Sequence, residues 1–197
     1  MRRSSVVCVL MISLLLSACR AAEGTTGLQE QALAIRSSYL ESTGCTAQLN
    51  VAADYGQRVY TYTVNVTATG EETVLIVAQP QELAGITVRV NGANGRLEYD
   101  GAILETGALD GDGLTPLSAV PALLESARSE FMDSCTIEKL GEQDTLRILC
   151  RDPEEAAGQG RETTLWFDAQ THALVRGEIA VDGYRVILCE FSQFSLL

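Results

Sequence analysis

The 197-residue chain carries 26 acidic against 14 basic side chains, a formal charge of −12, and Lys139 is its only lysine. That balance excludes a nucleic-acid footprint, which needs clustered Lys and Arg against phosphate, and excludes a peripheral electrostatic hold on anionic lipid. Any membrane attachment has to be hydrophobic or covalent, and the length fits one domain with a sizeable core.

In chain order, Arg2 and Arg3 precede an apolar run from Val6 to Leu16, followed by small Ser17 and Ala18. A positive start, a short apolar stretch and small residues form the pattern of an export signal; a transmembrane helix needs about 20 apolar residues. The segment Leu16-Ser17-Ala18-Cys19 resembles the bacterial lipobox at all four positions. The resemblance implies cleavage before Cys19, a diacylglycerol on its thiol, and an extracytoplasmic protein lipid-anchored to a bacterial membrane. That membrane is the plasma membrane's outer face, or the outer membrane if the cell has two. Each buried methylene contributes about 0.8 kcal/mol, and two acyl chains hold where one exchanges. The expected layout is a signal peptide over 1–18, a lipidated N-terminus and tether over 19–27, and a folded domain over 28–197.

The domain opens with a predicted helix over Leu28–Thr43, with Leu28, Ala32, Ile35 and Leu40 on one face and Gly44 beyond its end. The pattern then switches to strands. Tyr60, Tyr62, Val64 and Val66 alternate with Thr61, Thr63, Asn65 and Thr67, so the first set faces a core. The run from Thr73 to Pro80 reads as a short buried strand, and further short strands follow, punctuated by Asn-Gly and Asp-Gly turns. One helix interrupts them between Leu114 and Met132, with Pro121 in its first turn and Leu123, Leu124, Ala127 and Phe131 at helical spacing. The chain ends in a meander with turns at Asp168–Thr171 and Asp182–Gly183. Strands at hairpin spacing favour an antiparallel sheet.

Beyond Cys8 and Cys19, four cysteines remain. A turn centred on Glu142 and Gln143 would set Cys135 opposite Cys150, Glu138 opposite Arg147 and Ile137 opposite Ile148. In an exported chain this favours a Cys135–Cys150 disulfide, with Cys45–Cys189 by elimination. The alternatives are buried free thiols, or a zinc site that lacks any Cys-x-x-Cys pair.

No catalytic motif stands out. His172 is the sole histidine, to be read either as a general base beside Asp168 or as a solvated turn residue. The Asp110/Asp112 loop has the look of a calcium loop but lacks its later ligands, so a turn is the simpler reading. No enzyme activity, cofactor or metal is expected.

The segment 163–194 resembles the C-terminal half of the LolA/LolB-like lipoprotein-carrier families, with their LppX/LprG-type relatives. An aromatic strand end, a Thr turn, an apolar strand, a Gly turn and a closing apolar-x-Phe strand recur there. Trp166, Phe167, Asp168, Thr171, Leu174, Gly183, Val186 and Phe191 occupy those positions. The resemblance implies an α+β fold: a highly curved antiparallel sheet, an unclosed half-barrel, with helices over its concave face. It also implies an apolar cavity for a lipid or acyl chain. The lining expected from the pattern is Tyr60, Tyr62, Val64, Val66, Leu75, Val77, Leu123 and Leu124, the plainer alternative being a packed core. Two functions of different class follow. One is a membrane-anchored binder or carrier of a lipid or acylated protein; the other is a surface sensor or interaction domain, with a filled core and an unknown protein partner.

Overall fold

A computed structural model describes residues 27–92, 94–109 and 111–197. The signal segment, Cys19, most of the tether and Asp110 lie outside the described residues. After helix α1 (27–41) come six strands: β1 (Gly44–Asp54), β2 (Val59–Thr69), β3 (Thr73–Gln79), β4 (Thr87–Asn91), β5 (Asn94–Tyr99) and β6 (Ala102–Ala108). Helix α2 (Ala119–Ser129) follows, then β7 (Met132–Leu140), β8 (Gln143–Arg151), β9 (Arg161–Asp168), β10 (Leu174–Val181) and β11 (Tyr184–Leu196).

All the strands form one 11-stranded sheet in the order β6-β5-β4-β3-β2-β1-β11-β10-β9-β8-β7. The chain runs outward from β1 to β6, returns through α2, and runs inward from β7 until β11 pairs with β1. Every neighbouring pair is antiparallel. The sheet is curved and unclosed, with β6 and β7 as its two edges. This is the expected fold class.

Local chemistry sets the turns. Asp100 and Gly101 have φ of 48° and 78°, and Asp182 and Gly183 have φ of 50° and 76°. Both are two-residue hairpin loops with positive φ at each central residue, the conformation Asp-Gly tolerates best.

The register strings apolar side chains into rows across the concave face. One row runs Cys135–Ile148–Leu165–Gly177–Cys189–Val51–Tyr62. Another runs Phe194–Ala47–Val66–Leu75–Val88–Leu97–Leu104. Both helices cover the β7–β11 half. Leu123 of α2 is fully buried and sits over Gly177, where an added Cβ would lie 2.6 Å from Leu123 Cδ1. The glycine thus sets how closely α2 approaches the sheet. Each helix caps the other. Arg36 Nε donates to the carbonyl of Ala127 at 3.2 Å and a terminal nitrogen to that of Glu130 at 2.6 Å. Arg128 Nε donates to the carbonyl of Tyr39 at 3.2 Å. Guanidinium groups at helix C-termini satisfy orphan carbonyls and match the dipole.

Several expectations need correction. In α1 the buried face carries Ala32, Ile35 and Tyr39, whereas Leu40 is 62 % exposed. Tyr39 wins because its ring meets Phe167 edge-on at 5.4 Å and stacks on Phe194 at 5.9 Å. Phe131 lies beyond the end of α2 and is exposed. Strand β3 alternates, with Ile76 outward and exposed. Trp166 is buried on the convex face, where the guanidiniums of Arg147 and Arg176 lie 5.6 and 5.2 Å from its ring centroid.

The expected hairpin forms, but its loop is Gly141–Glu142, and Cys135 faces Ile148 while Cys150 faces Met132. Glu138 then meets Arg147 diagonally at 3.6 Å. The four cysteines are free thiols, three buried and Cys135 half-buried. A Cys45–Cys189 bond is out of register: Cys189 faces Val51, six residues along β1 from Cys45. At about 3.4 Å per residue that is about 20 Å, well beyond disulfide reach. Among the described residues no group of three potential metal ligands clusters, which leaves the zinc alternative without a site.

Candidate functional site

The helices cover only half of the concave face. Beneath them, between Ala32, Ile35, Ala127, Ile148, Leu165 and Phe167, there is no room even for a water molecule. The other half, under β2–β5, holds an apolar cavity of about 320 Å³. That is the lower end of the range for small-molecule sites, about 300–1,000 Å³.

The cavity has a sheet wall and a loop wall. Tyr62 and Val64 of β2, Leu75 and Val77 of β3, Val88 of β4 and Leu97 of β5 form the sheet wall. Leu83 and Ile86 join them because the loop after β3 folds back on it: Val77 N–H donates to Ile86 O, and Gly85 N–H to Val77 O, both at 2.9 Å. Gly85 has φ +89°, which a side chain rarely adopts. The opposite wall is Thr115, Pro116 and Leu117, just before α2. Two contacts fix it. Tyr55 Oη donates to Leu114 O at 3.0 Å. Ser118 N–H donates to Thr115 Oγ1 at 3.2 Å, and Thr115 N–H to Ser118 Oγ at 3.3 Å.

No charged side chain lines this space; its polar groups are the Tyr62 phenol and the Thr115 hydroxyl. Burying an unpaired charge costs far more than an apolar wall returns, so the interior suits hydrocarbon and leaves a charged headgroup at the mouth. A larger depression of about 430 Å³ is lined by Glu130, Arg151, Asp152, Glu155 and Arg161. There Arg161 pairs with Glu130, and Arg151 with Asp133 at 2.6 Å, while Glu130 Oε2 and Arg151 Nε are buried without a hydrogen-bond partner; this charged lining does not suit hydrocarbon.

Of the eight cavity residues expected from sequence, Tyr62, Val64, Leu75 and Val77 line the cavity. Val66 is buried further along β2, and Leu123 and Leu124 belong to the filled half under α2. Tyr60 is 39 % exposed at the open end of β2, its ring 6.0 Å from that of Tyr55. Leu83, Ile86, Val88, Leu97 and Thr115–Leu117 were missed. The Val88/Val90 alternation was a usable signal for β4; nothing local marks the loop residues.

The His172–Asp168 pair does not assemble as a base and its orienting acid. Asp168 Oδ1 accepts from the backbone N–H groups of Gln170 and Thr171 at 2.9 and 2.6 Å, and Oδ2 accepts from Gln143 at 2.6 Å. The Thr171 N–H, then the Gln143 amide, hold the Asp168 carboxyl down at about 2. His172 is half-buried rather than solvated. Its Nδ1 lies 2.7 Å from Ser38 Oγ, and its carbonyl accepts from Tyr39 Oη at 3.1 Å. The turn is thus a docking point for α1. Asp112 accepts Arg161 Nε at its backbone carbonyl at 2.7 Å.

No protein-family model matches the chain, and no curated protein matches it in sequence. Solved structures of similar layout include lipoprotein LppX of Mycobacterium tuberculosis, 16 % identical with TM-score 0.47, over 87 % of this chain and 95 % of that one. A LolA superfamily protein from Nitrosomonas europaea is 11 % identical with TM-score 0.42, over 88 % and 93 %. A DUF1329 family protein from Desulfovibrio piger is 8 % identical with TM-score 0.49, over 87 % and 92 %. Each is a likeness of overall layout.

Proposed function

We propose that this chain is an exported lipoprotein, tethered through Cys19 outside the cytoplasm of a bacterium, that reversibly shelters one acyl chain of a lipid or acylated protein. The observation that carries the reading is the apolar cavity of about 320 Å³ between β2–β5 and the segment before α2, with no charged lining. Such a site binds by hydrophobic transfer, at about 25 cal/mol per Å² of apolar surface removed from water. It needs no covalent step. The lipid at Cys19 would keep the open half-sheet near the bilayer that supplies or receives the chain.

The test is native mass spectrometry of the Cys19→Ser protein, purified without detergent, followed by solvent extraction. Stoichiometric co-purifying lipid, or one-to-one uptake of added palmitate, is the expected result. An empty protein that takes up no added lipid would overturn the reading in favour of a non-enzymatic interaction or sensor domain.

A further inference from the structure

We propose that strand β6 is a docking edge, to which a basic, extended segment of another protein adds as a further strand. The inference goes beyond lipid binding and rests on the two edges of the sheet.

Edge strands expose unpaired backbone donors and acceptors, and proteins ordinarily blunt them with charge, proline or cover. Edge β7 follows that rule. It carries Asp133, Glu138 and Lys139, engaged with Arg151, Arg147 and Asp144 of β8 and its end. Edge β6 does not. All seven of its residues are exposed, with Ile103 at 62 % and Leu104 at 61 %, and Glu105 is its only charge. The register shift opposite Gly95 falls beyond Glu105, so Ala102–Glu105 remain regularly paired to β5. Among the described residues nothing pairs with the outer side of β6.

The face pattern specifies the occupant. Leu104 ends the concave row that runs through Leu75, Val88 and Leu97, so an added strand continues that row with an apolar side chain opposite Leu104. On the convex face the same strand meets Ile103 and Glu105, the latter in register with Arg96 of β5. The chain's charge of −12 selects a basic segment and disfavours a second copy. Backbone pairing supplies affinity and alternate side chains supply the choice of partner.

The experiment uses the Cys19→Ser protein and a blocked peptide alternating lysine with valine, matched in length to β6, followed by hydrogen-exchange mass spectrometry at low salt. Slowed exchange confined to 102–108, with severalfold weaker binding in Leu104→Lys and in Ile103→Lys, is the expected result. Both residues are exposed, so the variants should retain the parent's unfolding midpoint, and palmitate uptake should be unchanged. Equal protection by a glutamate–valine peptide, or none by the lysine peptide, would overturn the proposal. So would β6 protection without peptide, whether concentration-dependent (a second copy) or in the monomer (residues 1–26 of the same chain).

Discussion

One sheet supports two kinds of interior. Where α1 and α2 meet β8 and β9 the interior is filled to the point of excluding water, and Gly177 gives up its side chain so that Leu123 can seat. The space left in this half is a groove of about 370 Å³ at its edge, between α1 and β7, with Asp133 in its wall. Across β1, the β2–β5 half has the same alternation of apolar side chains but only a folded-back loop and residues 115–117 above it, and it stays hollow. The strand chemistry is alike in the two halves. What differs is the cover: two helices that cap each other through Arg36 and Arg128 on one side, two short loops on the other. On the proposed reading the closed half carries stability and the open half binds.

Truncation should separate the halves most strongly. Leu123→Ala is expected to cost about 2–5 kcal/mol in urea unfolding, since it empties a packed site. Leu83→Ala, on the open cavity, should cost about 1 kcal/mol or less while weakening palmitate uptake. Equal losses at the two positions would erase the distinction.

The reverse substitution sharpens it. Gly177→Val drives a side chain into Leu123 and should destabilise by about 1–3 kcal/mol. Val77→Phe has an open cavity to enter, so stability should hold within about 1 kcal/mol while acyl uptake is lost.

A smaller, pH-dependent effect tests the α1 anchor. Asp168 is held at about 2 in the folded protein, against about 3.9 in an unfolded chain. The unfolded state therefore takes the proton first: the stabilisation is complete above about pH 4 and is lost as pH falls through about 2. Acid titration of unfolding should show this component in the parent and not in Asp168→Asn.

Thiol chemistry should leave stability untouched and report cover alone. Burial raises all four thiols, Cys45 to about 11 and Cys150 to about 12. Half-buried Cys135 should alkylate first in the native protein, and Cys189, at the centre of the sheet, only on unfolding.

How much of this was legible in the sequence follows from how local each signal is. The Asp-Gly loops, the closing meander and the face of Val64 and Val66 depend on adjacent residues and were readable. The β7–β8 register was not: Glu138 and Arg147 attract one another directly or diagonally, so charge fits both registers, and Gly141 with φ +62° places the loop one residue early. In α1, neighbouring Tyr39 and Leu40 offered two phases, and Phe167 and Phe194, distant in sequence, chose between them. The cavity was half legible for the same reason. Alternation finds the concave face, but hollowness depends on what lies above it. Leu123 and Leu124 read as lining because the sequence does not say which half α2 covers.

The most direct test of the account is paramagnetic broadening of methyl resonances by a spin-labelled palmitate bound to the Cys19→Ser protein. The account predicts broadening of Val64, Leu75, Val77 and Val88, with Leu123, Leu165 and Ile179 unaffected. Broadening centred on the residues under α2, or none at saturating ligand, would contradict it.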